Sequence, residues 1–301
     1  MSLEKRRWLQ MALQLKGSVV LSVMPRSLFC GAFGLIITIL QIKGFPVSLP
    51  FLASLIPNIV LGLLLVFRTN TAYDRYWEGR KCWGNIIVSV RNLSRSIWVA
   101  IEEKTERDRQ EKITMLHALV GFAVATKFHL RQEKPDTELK EFLPPDQFVK
   151  LQGANNPPLQ IALWIGEYLQ AQYQQDCLKI HQLIEMHKIV DRLVEALSGC
   201  ERILKTPMPI AYAIHLKQLL LLYCLSLPFQ MVANLGWWTT PVVILISFTL
   251  FGIEEIGIEI ENPFGRDAND LPLDTICETM TRNIQDLIRL KSGSTASNTV
   301  E

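Results

Sequence analysis

The sequence predicts an all-α integral membrane protein with four transmembrane helices and a helical cytosolic region. Three observations predict it. The 301-residue chain is 49% hydrophobic with a mean hydropathy of +0.19, a value that soluble domains of this size seldom reach. The excess sits in uncharged runs long enough to cross the roughly 30 Å hydrocarbon core of a bilayer as helix. Between those runs the apolar residues recur at helical spacing, and no segment shows the alternation of a strand.

The N-terminal stretch "MSLEKRRWLQMALQLKGSVVLSVMPRSLFCGAF" has the basic-then-apolar order of a signal peptide, but Arg26 interrupts the apolar part and no small-residue cleavage site follows. It is expected to be a retained amphipathic lead-in to a first span near Val19–Ile42, with Arg26 snorkelling to the headgroups. The turn "QIKGFPVSLP" leads to a second span, Leu49–Phe67, which carries no charge. The third and fourth spans share the uncharged stretch from Gln218 to Ile253, too long for one crossing and suited to two. The turn in its middle, "NLGWWTTP", holds adjacent Trp residues, whose apolar ring and polar N–H suit the membrane interface. Lys5, Arg6, Arg7 and Lys16 precede the first span, and Arg68, Arg75, Arg80 and Lys81 follow the second, whereas the opposite turns hold only Lys43. The positive-inside rule then places both termini and the intervening segment in the cytoplasm.

That intervening segment is polar and helical in pattern. "DRQEKITMLHALVGFAVATKFHLRQ" has a helical apolar period with charged ends, and "FLPPDQFVKLQGANNPPLQ" is expected to be a loop in which Asp146 caps a short helix. "LQIALWIGEYLQAQYQQDCLKIHQLIEMHKIVDRLVEALSGCERIL" predicts two more helices, stopped by Pro207 and Pro209 in "KTPMPIAY". The tail "KSGSTASNTVE" is small and polar, and is expected to be unstructured. The resulting division is 1–69 for the lead-in and first two spans, 70–214 for the cytosolic helices, 215–261 for the last two spans and 262–301 for a cytosolic C-terminal segment.

Several functions are disfavoured by the residues themselves. A formal charge of +2 is too small for a typical nucleic-acid binder. The six cysteines stand singly, without a C-x-x-C pair, so reduced thiols are expected rather than a disulfide framework or structural zinc. No nucleophile elbow, P-loop or H-E-x-x-H occurs, and His181 and His187 fall on different helix faces, so neither an enzyme nor a cofactor is expected. Glu254, Glu255, Glu259 and Glu261 close the fourth span, and Asp267, Asp270 and Asp274 follow. Such oxygen clusters suit Ca²⁺, but the spacing is not that of an EF-hand, and a helix ending in water before a capped turn explains it better.

Leu52, Ile56 and Val60 recur every four residues down the second span. A stripe of this kind packs on neighbouring helices or lipid, or else forms an apolar pore constriction that gates by dewetting. Periodicity alone leaves both open.

The segment "FRTNTAYDRYWEGRKCWGNIIVSVRNLSR" resembles the signature of the bestrophin family, in the branch shared by bacterial members and plant voltage-dependent chloride channels. Its signature positions here are Arg68, Asn70, Tyr73, Arg75, Trp77, Glu78, Arg80 and Trp83. "CERILKTPMPIAYAIHLKQLLLLYCLSLPF" and "IEIENPFGRDANDLPLD" agree with it, the latter through Asn262, Pro263, Phe264 and Gly265. The resemblance implies a bestrophin-like homopentamer with one axial pore. Its neck would fall on Leu52, Ile56 and Val60, and a second, cytosolic aperture near Ile184 or Ile180. Asn262, Asp267 and Asp270 match positions of the Ca²⁺ clasp of animal members. Arg266 and Ala268 stand where acidic residues would be expected, so no metal is implied.

The function expected is passive conduction of small monovalent anions, chiefly chloride, with membrane lipid as surroundings. A sodium channel of the same fold is the alternative. A membrane-anchored scaffold without transport is the rival from another class. A secondary transporter is disfavoured by the lack of an inverted repeat. The bacterial cytoplasmic (inner) membrane is the simplest location, and a thylakoid is possible by analogy.

Overall fold

The structure, a computed structural model, describes residues 10, 14, 17–52, 55–134 and 136–295. The expected amphipathic lead-in, with Lys5, Arg6, Arg7 and Lys16, lies largely outside the described residues. The rest is helical, with no strand among the described residues. In chain order the α-helices are α1 (Val20–Ile42), α2 (Leu55–Ala100), α3 (Glu106–Leu130), α4 (Thr137–Lys140) and α5 (Pro145–Gln152), then α6 (Pro157–Gln174), α7 (Ile180–Lys205), α8 (Ile210–Leu235), α9 (Thr239–Glu259) and α10 (Leu273–Thr295). Short 3₁₀ turns occupy Pro50–Leu52 and Gly236–Trp238. The chain divides into two units, one of Met1–Tyr76 with Thr206–Asp270 and the other of Trp77–Lys205 with Leu271–Glu301. Their bounds fall near residues 69 and 214 without coinciding with them.

The stretches long and apolar enough to cross a membrane are Val20–Ile42, Pro50–Ala100, Glu106–Leu130 and Ile210–Glu259, the last holding both α8 and α9. The second expected span is offset from its helix. Leu49 lies outside any regular element, Pro50–Leu52 form the 3₁₀ turn, and α2 begins only at Leu55. Pro57 sits in the first turn of α2, where its missing N–H has no intrahelical partner to lose. The helix then continues unbroken for 46 residues.

In the first unit α1 packs closely on α9 and on α8. Small residues make that approach possible. A Cβ on Gly31 would collide with the Ile244 side chain, and one on Gly34 would come within 3.5 Å of Pro228. Val23, Cys30, Leu61, Leu65, Leu220 and Val243 meet in the core. The buried hydroxyls of Ser27 and Thr38 donate to the carbonyls of Val23 and Gly34 one turn back, so they need no water. The Leu49 amide donates to the Phe229 carbonyl at 2.8 Å, tying the 3₁₀ turn to α8. At the α8–α9 turn Gly236 takes φ +49°, and Trp237 and Trp238 are exposed.

The second unit is organised on α3. Its length and apolarity would allow it to cross a bilayer, yet most of its apolar stretch is buried inside the structure. It is covered by α6, α7 and α10, as a helix apolar all round must be. A reciprocal capping box starts it: the Asp108 amide donates to Thr105 Oγ1 and the Thr105 amide to Asp108 Oδ2. Asn156 caps α6. The segment expected as a loop with a short helix holds α5, with α4 just before it, and Asp146 lies in the first turn of α5 rather than at its cap. Helix α10 continues through Thr295, so the tail expected to be unstructured is helical at its start. Residues 296–301 lie outside the described residues.

Buried Leu273, Cys277, Met280 and Ile284 seat α10 on α3. Its first turn is held by charge. Lys127, 2% exposed along its side chain, donates to Glu138 Oε2 at 2.7 Å and to Asp274 Oδ1 at 2.9 Å, and Arg131 reaches the same Asp274 carboxylate with two N–H groups. Arg131 first, and Lys127 after it, hold the Asp274 carboxyl well below the usual carboxylate range. Because that pKa is depressed in the folded state, its contribution is complete above the ordinary carboxylate pKa and is lost as pH falls through the folded one. Asp274→Asn is expected to loosen the start of α10 by about 1–2 kcal/mol, well under the cost of breaking a fully buried pair because Asp274 is half exposed. Hydrogen exchange at neutral pH checks this: exchange should quicken in the first turns of α10 and not in the middle of α3.

Candidate functional site

The first half of α2 has two unlike faces. Leu61, Leu65, Arg68 and Ala72, at helical spacing, are buried in the first unit. Ile56, Val60, Leu63 and Phe67 are 71%, 47%, 53% and 55% exposed and lie on the opposite side, by the roughly 100° per residue of a helix. Little of the apolar stretch within Pro50–Ala100 is buried in the single chain. Ile56 and Val60 therefore share one outward face, one turn apart. Leu52, the third member of the stripe, lies in the separate 3₁₀ turn and is half-buried, so the helix does not carry all three as one continuous row.

Arg68 sets this rotation. Its side chain is 4% exposed, and Nη2 donates to Glu261 Oε2 at 3.0 Å while Nη1 faces the Met208 sulfur at 3.2 Å. The second carboxylate oxygen of Glu261 accepts the Met208 amide at 2.9 Å. Two turns on, Arg75 donates to the Glu261 and Thr206 carbonyls. The arginines of α2 thus grip the segment before α8 and the end of α9. Gly257 leaves room for this, since a Cβ there would stand 3.2 Å from Arg68 Cγ. Tyr73 and Asn70 are exposed.

The remaining signature residues lie in the second unit. Trp83 is fully buried and Trp77 is half exposed. Glu78 accepts from Arg202 of α7, and Arg80 is exposed. Ile180 and Ile184 stand one turn apart at the start of α7, 43% and 47% exposed.

The turn after α9 satisfies itself locally. Asn262 Oδ1 accepts the Phe264 amide, Phe264 is fully buried, and Pro263 is buried beside it. The Asp267 amide donates to Asp270 Oδ2 at 2.7 Å, and a Cβ on Gly265 would come within 2.6 Å of that same oxygen and push it aside. Asn269 donates to the Gly17 carbonyl and to Glu259. No group of three or more His, Cys, Asp or Glu among the described residues is arranged to hold a metal ion.

A sequence model of the family described as bacterial/fungal bestrophin protein matches residues 1–286. The chain belongs to the bestrophin family. Among curated relatives it is similar to a voltage-dependent anion channel-forming protein of Nostoc sp., 59% identical over 96% of this chain and 94% of that one. A protein of the same description from Synechocystis sp. is 54% identical over 95% and 93%. Among solved structures it resembles a bacterial bestrophin homologue from Klebsiella pneumoniae, with a TM-score of 0.80 and 29% identity over 87% of this chain and 97% of that one.

In this bestrophin the sequence pointed to Arg68 and Arg75 but not to what they hold. Glu261 was visible only as one of several acids closing the fourth span, and Met208 only as part of a helix break. Leu63 and Phe67 extend the exposed face of α2 beyond the residues that the four-residue spacing selects. Glu261→Ala would leave the Arg68 guanidinium buried without its counter-ion and the Met208 amide without its acceptor. It should lower stability by about 3–5 kcal/mol, whereas replacing Arg68 and Glu261 together by Met should cost less. Thermal unfolding of the purified protein in detergent checks both.

Proposed function

We propose that this bestrophin is one subunit of a homopentameric channel that passively conducts small monovalent anions, chloride foremost, without catalysis or cofactor. The observation that carries the reading is the outward apolar face of α2. Ile56, Val60 and Leu63 are exposed although Arg68 anchors the helix firmly by its other side. Copies of that face arranged around an axis enclose a narrow apolar neck that controls wetting, formed by Ile56 and Val60 with Leu52 at its rim. Aliphatic rings carry no charge and select none. The preference for anions rests on the named relatives, which are described as voltage-dependent anion channel-forming proteins.

Below the neck, Arg68, Arg75 and Glu78 act as scaffold rather than as ion ligands, because their polar groups are directed to partners within the chain. Ile180 or Ile184 forms the second, cytosolic constriction. Asn262, Asp267 and Asp270 close a turn and need no Ca²⁺. Residues 1–69 and 215–261 supply the membrane part, 70–214 and 262–301 the cytosolic part. Both termini face the cytoplasm and the host is the cytoplasmic membrane.

Purified protein in liposomes under opposed Cl⁻ and Na⁺ gradients tests the reading. A reversal potential near the chloride value is expected. One near the sodium value would replace anion by cation conduction, and silence from an intact oligomer would leave a scaffold. Ile56→Ala should widen the neck and raise the current several-fold, and unchanged current from an assembled Ile56→Ala channel would mean that this face lies outside the pore.

A further inference from the structure

Within the first unit a cavity of about 630 Å³ opens between the charged ends of α1, α8 and α9. Arg26 and Phe29 of α1, Lys217 and Leu221 of α8, and Phe251 and Glu254 of α9 line it. Phe29 and Leu221 are exposed, so the cavity opens onto an apolar flank. The same helices carry the membrane-spanning runs, which puts the cavity where hydrocarbon gives way to headgroups.

Two polar groups there are unfinished. Glu254 is 2% exposed and accepts no hydrogen bond among the described residues, although the cations Lys217, Arg26 and Arg68 act on it through charge. Arg26 Nη1 is 3.8 Å away and is engaged by Glu255 at 2.7 Å. A buried carboxylate without donors is costly, and native structures nearly always supply them. Lys217 is exposed and has no hydrogen-bonded acceptor among the described residues. The site therefore presents a carboxylate and an ammonium that attract each other without a hydrogen bond between them, at the mouth of an apolar cleft.

We propose that this cavity binds phosphatidylglycerol. The phosphate accepts from Lys217 and from the donors that Arg26 has left. The glycerol hydroxyls donate to Glu254, and an acyl chain lies along Phe29 and Leu221. An ammonium headgroup fits less well, because it would set a third cation beside Arg26 and Lys217. A choline headgroup brings no hydroxyl or N–H donor at all. The inference needs only the membrane helices and their packing, so it stands or falls apart from the channel reading.

The test is native mass spectrometry of the detergent-purified oligomer after exchange against equal amounts of phosphatidylglycerol, phosphatidylethanolamine and phosphatidylcholine with the same acyl chains. Phosphatidylglycerol should be retained several-fold over the other two. Lys217→Ala and Glu254→Leu should each bring it down to the level of phosphatidylcholine. Lys217→Ala removes an exposed side chain that makes no hydrogen bond among the described residues, so it decides the matter even if Glu254→Leu fails to assemble. Equal retention of the three lipids, a preference for phosphatidylethanolamine, or a phosphatidylglycerol preference that survives Lys217→Ala would each overturn the proposal.

Discussion

A guanidinium held out of water must be paired, and in this protein that requirement falls on Arg68. Its bond to Glu261, with the Met208 amide on the other carboxylate oxygen, is made one turn beyond the buried Leu61 and Leu65. Apolar packing alone constrains the rotation of a membrane helix weakly, since lipid tails are as apolar as leucine. A buried ion pair constrains it strongly, because a turn of the helix about its axis would strand both charges. The side of α2 that remains free is thus decided by the side that is tied. Ile56 and Val60 face outward because Arg68 faces in.

Much of this was legible in the sequence, and the reasons are specific. Helices α1, α8 and α9 are long apolar runs, and the turn between the last two is marked by Gly236 and the paired Trp residues. The expected second span begins ahead of its helix because hydropathy reports solvent and not backbone: Leu49–Leu52 are as apolar as the first turns of α2, but Pro50–Leu52 form a 3₁₀ turn. Leu52 left the helical row for the same reason. Helix α10 went unread although Leu273, Cys277, Met280 and Ile284 recur at helical spacing, because "NPFG" and "DANDLP" are turn signals that mask the helix beyond them. The Arg68–Glu261 bond could not be found at all, since its partners stand 193 positions apart and nothing local in either segment points to the other.

Helix α3 shows how little hydropathy says about which apolar solvent a helix has found. Its run from Ala118 to Ala125 would suit lipid, yet it is covered by protein. What distinguishes it is the charge at its ends. Lys112 and Lys127 are buried and each is bonded to a carboxylate, Glu103 in one case and Glu138 with Asp274 in the other. Ammonium groups stay charged that deep only where partners are supplied, and here they come from the loop before the helix, from α4 and from α10.

The close seating of α1 on α9 has a consequence for the membrane around the protein. Gly31 and Gly34 leave room on α1 for the side chains of Ile244 and Val243, Trp237 and Trp238 mark one end of α9, and Arg26 joins Glu255 at the other. The 21 residues of α9 are about 32 Å long as helix. Neither rod can lean independently of its neighbour. In a bilayer thicker or thinner than that distance, the lipids must stretch or compress to meet the protein, at a fraction of a kcal/mol per Å.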